Sequence, residues 1–291
     1  MIFEVSHRTV YRYSQPVSIS HHLLHLTPRD GRWQTCRDTA VEITPAPTVR
    51  APGSDYFGNP TTFVTVQQNH VELVLHALSS IEVAERPVPM VADTPPWEVV
   101  RDAARRDRTN EALQALEFTF ASPHVSLAAE LRAYAATSFP PGRPILEGAR
   151  ELTGRIYRDF SYEPGATSLG TSVELAFAMR RGVCQDFAHI QIAGLRALGL
   201  PARYVSGYLL TRPPEGKERL VGADASHAWL SVWIPGHDWV DLDPTNDLIP
   251  GREHITIGWG RDYGDVSPVS GVMFGGGEHE VSVAVDVLAA G

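Results

Sequence analysis

The sequence predicts an α+β protein in which an all-β sandwich precedes a core built from one central helix packed on an antiparallel sheet. Three observations lead there. Short alternating apolar runs fill the chain up to about residue 90. The stretch from Cys184 to Leu198 is apolar around most of a helical circumference. Ser226 to Ile234 then alternates strictly before a turn and a returning run, Trp239 to Asp243. Period-two alternation marks strands and an all-round apolar helix marks a buried one. Helices followed by antiparallel strands fit an α+β layout better than a βαβ repeat.

Taken in order, Phe3-Val5-His7 and Val71-Leu73-Leu75-Ala77 read as strands, separated by turn-rich Pro28-Arg29-Asp30-Gly31 and Asp55 to Pro60. Pro87, Pro89, Pro95 and Pro96 punctuate a linker, so the expected units are a β-sandwich over 1–90 and a second unit over 91–291. A helix is expected from Trp97 to Arg106. Further helical periodicity appears at Leu127-Leu131-Tyr134, at Ile145-Ala149-Leu152-Ile156 and at Val173-Leu175-Ala176-Met179. The central helix stops at Gly199, with Pro201 preventing its resumption. A strand from Arg203 to Leu210, the hairpin around Pro235-Gly236-His237-Asp238, and a last strand from Glu280 to Leu288 complete the reading.

Composition excludes several classes. The 291 residues carry 25 Lys and Arg against 34 Asp and Glu, a net charge of −9, which disfavours nucleic acid and anionic membranes as partners. The first residues lack the pattern of a secretory signal and no apolar run reaches the ~18 residues of a membrane span, so the expected location is cytoplasmic. With only Cys36 and Cys184, no paired metal-binding cysteine motif exists and both thiols are expected to be free. His21 and His25 share a face on a helix or a strand, but no carboxylate or further ligand accompanies them, so neither metal nor cofactor is expected.

The chemistry centres on Arg181 to His189, where a turn hands over to a helix with Cys184 in its first turn. Free N–H groups and the positive end of the helix dipole favour a thiolate there. Position alone fits a small buried residue equally well. A cysteine nucleophile needs a base and a group that orients it. His227, heading the alternating strand, is the candidate base, and Asp243, 16 residues on, the candidate orienter. With a loop over 235–238, Asp243 falls opposite Leu230, about 10 Å along the strand from His227 at roughly 3.3 Å per residue. Asp241 therefore remains a competitor.

The set Gly-Val-Cys at a helix start, Leu-Gly-Leu-Pro-Ala-Arg after it, His227-Ala-Trp and Trp239-Val-Asp-Leu-Asp-Pro-Thr resembles the transglutaminase-like superfamily, in particular bacterial members classed as candidate cysteine proteases. Asp55 to Asn59, Ala202 to Tyr208, Asp243 to Asn246 and the tail from Gly260 through Gly277 add to the likeness, which spans nearly the whole chain. The resemblance implies a papain/transglutaminase-like core with Cys184 as nucleophile, His227 as base and Asp243 as orienting carboxylate. Animal transglutaminases carry Trp directly after the cysteine, where Gln185 stands here, so their cross-linking activity is not implied. No run of alternating acidic ligands suggests calcium. Besides the Cys184 N–H, Tyr162 and Gln185 are candidates for the oxyanion or substrate contacts.

The leading expectation is a thiol-dependent peptidase or amidase acting on a peptide or small amide through a thioester that water resolves. The alternatives are an acyltransferase, in which an amine resolves the same thioester, and a catalytically silent binding module. Trp229, Trp233 and Trp239 fit aromatic walls for an amine acceptor, and they fit ordinary strand packing as well.

Overall fold

A computed structural model describes residues 1–211 and 226–290. Its first strand, β1 (Ile2–Leu24), is long enough to serve two layers. Between Arg12 and Ile19 its register with its neighbours shifts, and its two halves take different partners. The first half pairs with β5 (His70–Val83), which in turn pairs with β2 (Gln34–Thr44). The second half pairs with β4 (Pro60–Val66), which pairs with β3 (Val49–Ser54). Tyr13, Val17, Leu24, Val41, Val64, Leu73 and Leu75 pack between the halves as one core, which is the sandwich expected from the alternating runs.

The linker leads into α1 (Trp97–Arg106), α2 (Asn110–Glu117), α3 (Ala129–Ala136) and α4 (Ile145–Asp159). A parallel pair of two-residue strands, β6 (Ser161–Tyr162) and β7 (Arg181–Gly182), brackets α5 (Val173–Met179). The central helix α6 (Cys184–Ala197) follows and is buried on nearly all sides from Asp186 onward. It lies on an antiparallel sheet of β8 (Ala202–Leu209), β9 (Ser226–Ile234), β10 (Asp238–Leu242) and β11 (His254–Gly260), in the order β10-β9-β8-β11. The central helix on an antiparallel sheet is thus present as expected.

Period-two alternation gives this sheet two different faces. Ala202, Tyr204, Ala228, Leu230, Val232 and Leu242 pack with the helices. At the far end of β8 and the start of β11, Tyr208, Ile255 and Ile257 pack with Phe3, Val5, Ile81 and Val83 of the first sheet. Asn59 joins the layers further: it accepts from the Trp259 N–H at 3.0 Å and donates to the Trp259 carbonyl at 2.8 Å, which gives the Asp55–Asn59 motif a docking role.

The last two strands, β12 (Val269–Gly275) and β13 (His279–Ala290), return to β1 and pair with its second and first halves. The sequence placed them with the residues after 91. Their hydrogen bonds complete the first sheet instead, because β1 has an open edge along both halves that only these strands fill.

Candidate active site

The turn before α6 is built around Asp186. Its carboxylate accepts from the Val183 N–H at 2.8 Å and from the Thr167 hydroxyl at 2.7 Å, capping the helix start. A Cβ on residue 182 would come within 2.5 Å of that carboxylate, so close approach requires Gly182. The left-handed residue is instead Arg180 (φ 54°), whose guanidinium covers the Phe160 and Phe177 rings at 4.7 and 4.1 Å. Cys184 is the first helical residue, so its N–H and that of Gln185 have no intrahelical acceptor.

The hairpin positions His227. Asp238 pairs with Ile234, and the connection is therefore Pro235-Gly236-His237, one residue shorter than the expected 235–238. Asp238 takes a left-handed conformation (φ 61°) within the ladder. This moves the register by one: Leu242, not Asp243, lies across from Leu230. Continued by one residue, the same register sets Asp243 across from Trp229, on the face that also carries His227. A one-residue slip would have turned it to the opposite face.

His227 donates from Nε2 to Asp243 Oδ2 at 2.7 Å. The same oxygen accepts from Asn246 Nδ2 at 2.7 Å and from His254 Nε2 at 3.2 Å, while Oδ1 accepts the Thr245 N–H at 2.9 Å. Asp243 is fully buried. Burial alone would raise its pKa, but the donors from His227, His254 and Asn246 hold it well below the usual carboxylate range. Burial likewise pulls His227 down. Its hydrogen bonds to Asp243 and to the Cys184 side chain outweigh this and push it up to about 10. With Nε2 committed to Asp243, Nδ1 is the nitrogen left for the thiol.

Asp241 is occupied elsewhere. It accepts from Ser231 Oγ at 2.5 Å, from Trp229 Nε1 at 3.1 Å and from Arg86. Tyr162 is half-exposed on β6, its ring edge-on to Phe187; burial first, and Cys184 second, raise its phenol pKa. Gln185 is half-buried beside the thiol. His21 bonds Thr65 Oγ1 at 2.9 Å, and His25 bonds the Ser267 carbonyl at 3.2 Å, so each meets the sandwich and not the other.

Three neighbours escaped the sequence reading. His254 lies in the second sheet and Asn246 in a loop, and both gain meaning only from the position of Asp243. Tyr204 is buried on the helix-facing side of β8, and burial together with Cys184 drives its phenol far above the ordinary value. Its place in the alternation after Pro201 was the available signal. Among the described residues, His227, Asp243 and His254 also form the one group of three potential metal ligands. Hydrogen bonds account for its geometry.

Comparison with known proteins shows the family of the chain. Residues 3–82 match a bacterial transglutaminase-like N-terminal region, and residues 132–244 match the transglutaminase-like superfamily. An uncharacterized protein of Mycobacterium tuberculosis is 42% identical, over 98% of this chain and 92% of its own. A protein-glutamine gamma-glutamyltransferase of Pseudomonas aeruginosa is 35% identical over 94 residues, 32% of this chain and 14% of its own. The crystal structure of a candidate cysteine protease from Cytophaga hutchinsonii superposes with a TM-score of 0.80 at 22% identity, covering 99% of this chain and 90% of that one.

Proposed function

The chain belongs to the transglutaminase-like superfamily, and from that premise we propose that it is a thiol-dependent amide hydrolase with Cys184 as nucleophile, His227 as acid and base, and Asp243 as the carboxylate that orients His227. The observation that carries this reading is His227 held between the Cys184 side chain and Asp243. A histidine that keeps its proton at neutral pH is the partner a thiolate needs. The Cys184 sulfur adds to an amide carbonyl, and the helix-start N–H groups of Cys184 and Gln185 receive the developing oxyanion. His227 gives its proton to the leaving amine as the C–N bond breaks, leaving a thioester. Water, deprotonated by His227, then attacks the thioester and releases the acid and the thiol. His254 and Asn246 hold Asp243 in place, and Asp243 fixes the tautomer in which Nδ1 faces the sulfur.

Acyl transfer to an amine is the second reading, favoured by the likeness of 94 residues to the Pseudomonas aeruginosa gamma-glutamyltransferase. Transfer needs a site that holds an amine against water at about 55 M. The three hairpin tryptophans are engaged in packing: Trp229 is fully buried over Gly207, Trp233 donates to Glu111, and Trp239 meets Phe118 and Arg203. This supports hydrolysis. Mass spectrometry of products from peptide and small-amide substrates, with millimolar lysine-like amines added and Cys184→Ala as control, tests the reading. Free acid is expected; predominant amine adducts would transfer the assignment to acyltransferase.

A further inference from the structure

Between the first sheet and the outer face of the second lies a cavity of about 200 Å³ that the proposed chemistry does not use: none of Cys184, His227 and Asp243 lines it. Arg29, Arg86 and Arg203 converge on it, with Trp239 and Trp259 as walls. The Arg203 guanidinium lies over both rings, 4.3 Å from the Trp239 centroid and 3.9 Å from that of Trp259, and that of Arg29 lies over Trp259 at 3.6 Å. A guanidinium clamped in this way has lost most of its rotamer freedom before any ligand arrives.

The three cations are unequally satisfied. Arg29 donates to the Phe57 carbonyl at 2.8 Å and to Asn59 Oδ1 at 2.9 Å, and Arg86 pairs with Asp241. Among the described residues, the Nε atoms of both are buried without an acceptor. Arg203 makes one side-chain bond among the described residues, from Nε to Ser231 Oγ at 3.4 Å. Asp241, the buried carboxylate of the wall, already receives Arg86, Trp229 and Ser231, and acts on Arg203 only through space. Burial is the main cause that pulls Arg203 down to about 9; Asp241 and Asp238 oppose it through space, and Arg29 and Arg86 add to it.

We propose that this cavity binds a small organic carboxylate, gripped by the terminal N–H groups of Arg203 between Trp239 and Trp259. A planar fork in an aromatic slot matches a planar carboxylate. The volume, set against ~30 Å³ for a water, suits an organic ion over a lone inorganic one. Among the described residues Arg203 has no ion-paired carboxylate, which matches a single negative charge, and Asp30, Asp238 and Asp241 of the lining oppose a larger one.

The test is fluorine NMR of the full chain labelled with fluorotryptophan, titrated with propionate, benzoate or inorganic phosphate at constant ionic strength. Saturable movement of the Trp239 and Trp259 resonances with a carboxylate, while Trp97 stays still, is the expected result. Arg203→Met should weaken the apparent affinity by about tenfold or more. Arg203→Lys, which keeps the charge and loses the fork, should weaken it as well if the Met variant does not fold. The proposal is overturned if neither carboxylate moves Trp239 and Trp259 saturably, if a folded Arg203 variant binds as tightly as the parent, or if phosphate saturates the site more tightly than both carboxylates.

Discussion

His254 donates to Asp243 Oδ2 at 3.2 Å, on the same oxygen that holds His227 at 2.7 Å. Its own Nδ1 is buried without a partner among the described residues, and its ring meets Trp229 edge-on at 5.2 Å between centroids. A polar side chain left half-satisfied in this way is costly unless the bond it does make matters. Replacing it with Phe removes one donor from a buried carboxylate, so the pKa of Asp243 rises. In the pH profile of turnover, the acid limb should move to higher pH, with kcat lowered more than KM is changed. An unmoved acid limb would assign His254 to packing alone.

The two aspartates of the hairpin should separate cleanly. Asp243→Asn is expected to cut turnover by about 10² to 10⁴ and His227→Ala to abolish it, both with the fold retained. Asp241→Asn instead weakens the acceptor shared by Arg86, Trp229 and Ser231, and is expected to cost on the order of 3 kcal/mol of stability with a milder loss of rate. Thermal unfolding and steady-state kinetics on the three variants decide it.

The thiols should differ in reactivity. Cys36 has its pKa raised by burial and by Asp30 and Asp38, and its Sγ faces the Asp38 carbonyl at 3.5 Å. Cys184 sits at a helix start beside His227, which holds its proton up to about 10. Iodoacetamide near neutral pH is expected to label Cys184 first, with the Cys36 rate climbing only toward alkaline pH. Equal labelling rates in a peptide map would remove the argument for an activated thiol.

Stability should carry the imprint of His227. Its pKa is raised from 6.5 to about 10 in the folded chain, so its contribution is fully present below 6.5 and is lost as pH rises through about 10. Asp243, with a depressed pKa, contributes above its ordinary 3.8 and loses that contribution on acidification. In urea unfolding, the stability gap between the parent and His227→Gln should shrink as pH rises from 6.5 to about 10. A gap that stays constant across that range would contradict the raised pKa.

Gly207 lies across β8–β9 from His227, and a Cβ there would meet the Ile255 carbonyl at 2.1 Å and the Trp229 ring at 2.4 Å. Gly207→Ala therefore has to part β8 from the Ile255 carbonyl of β11 as well as displace Trp229, costing about 1–3 kcal/mol or more. Because Trp229 packs 6.1 Å from His227, turnover should fall as well, measured beside the melting temperature.

Local pattern was enough to mark the helix from Cys184, the helix Trp97–Arg106 and the alternating strand of His227, since period and capping chemistry are written in neighbouring residues. The residues of the proposed triad could be named from their motifs. Long-range pairing was out of reach: β12 and β13 return to β1 because that strand offers open edges on both halves, which nothing near residue 270 or 280 announces. The competition between Asp241 and Asp243 also lay beyond spacing. The shorter turn, with Asp238 left-handed within the ladder, puts both aspartates on the face of His227, and position along the strand separates them: Asp241 lies across from Ser231 and is taken by Ser231, Trp229 and Arg86, while Asp243 lies nearer His227 and bonds it. That single step of register turns Asp243 toward His227 and allows His254, from another strand, to reach the same oxygen, because only the folded sheet fixes which side chains share a face.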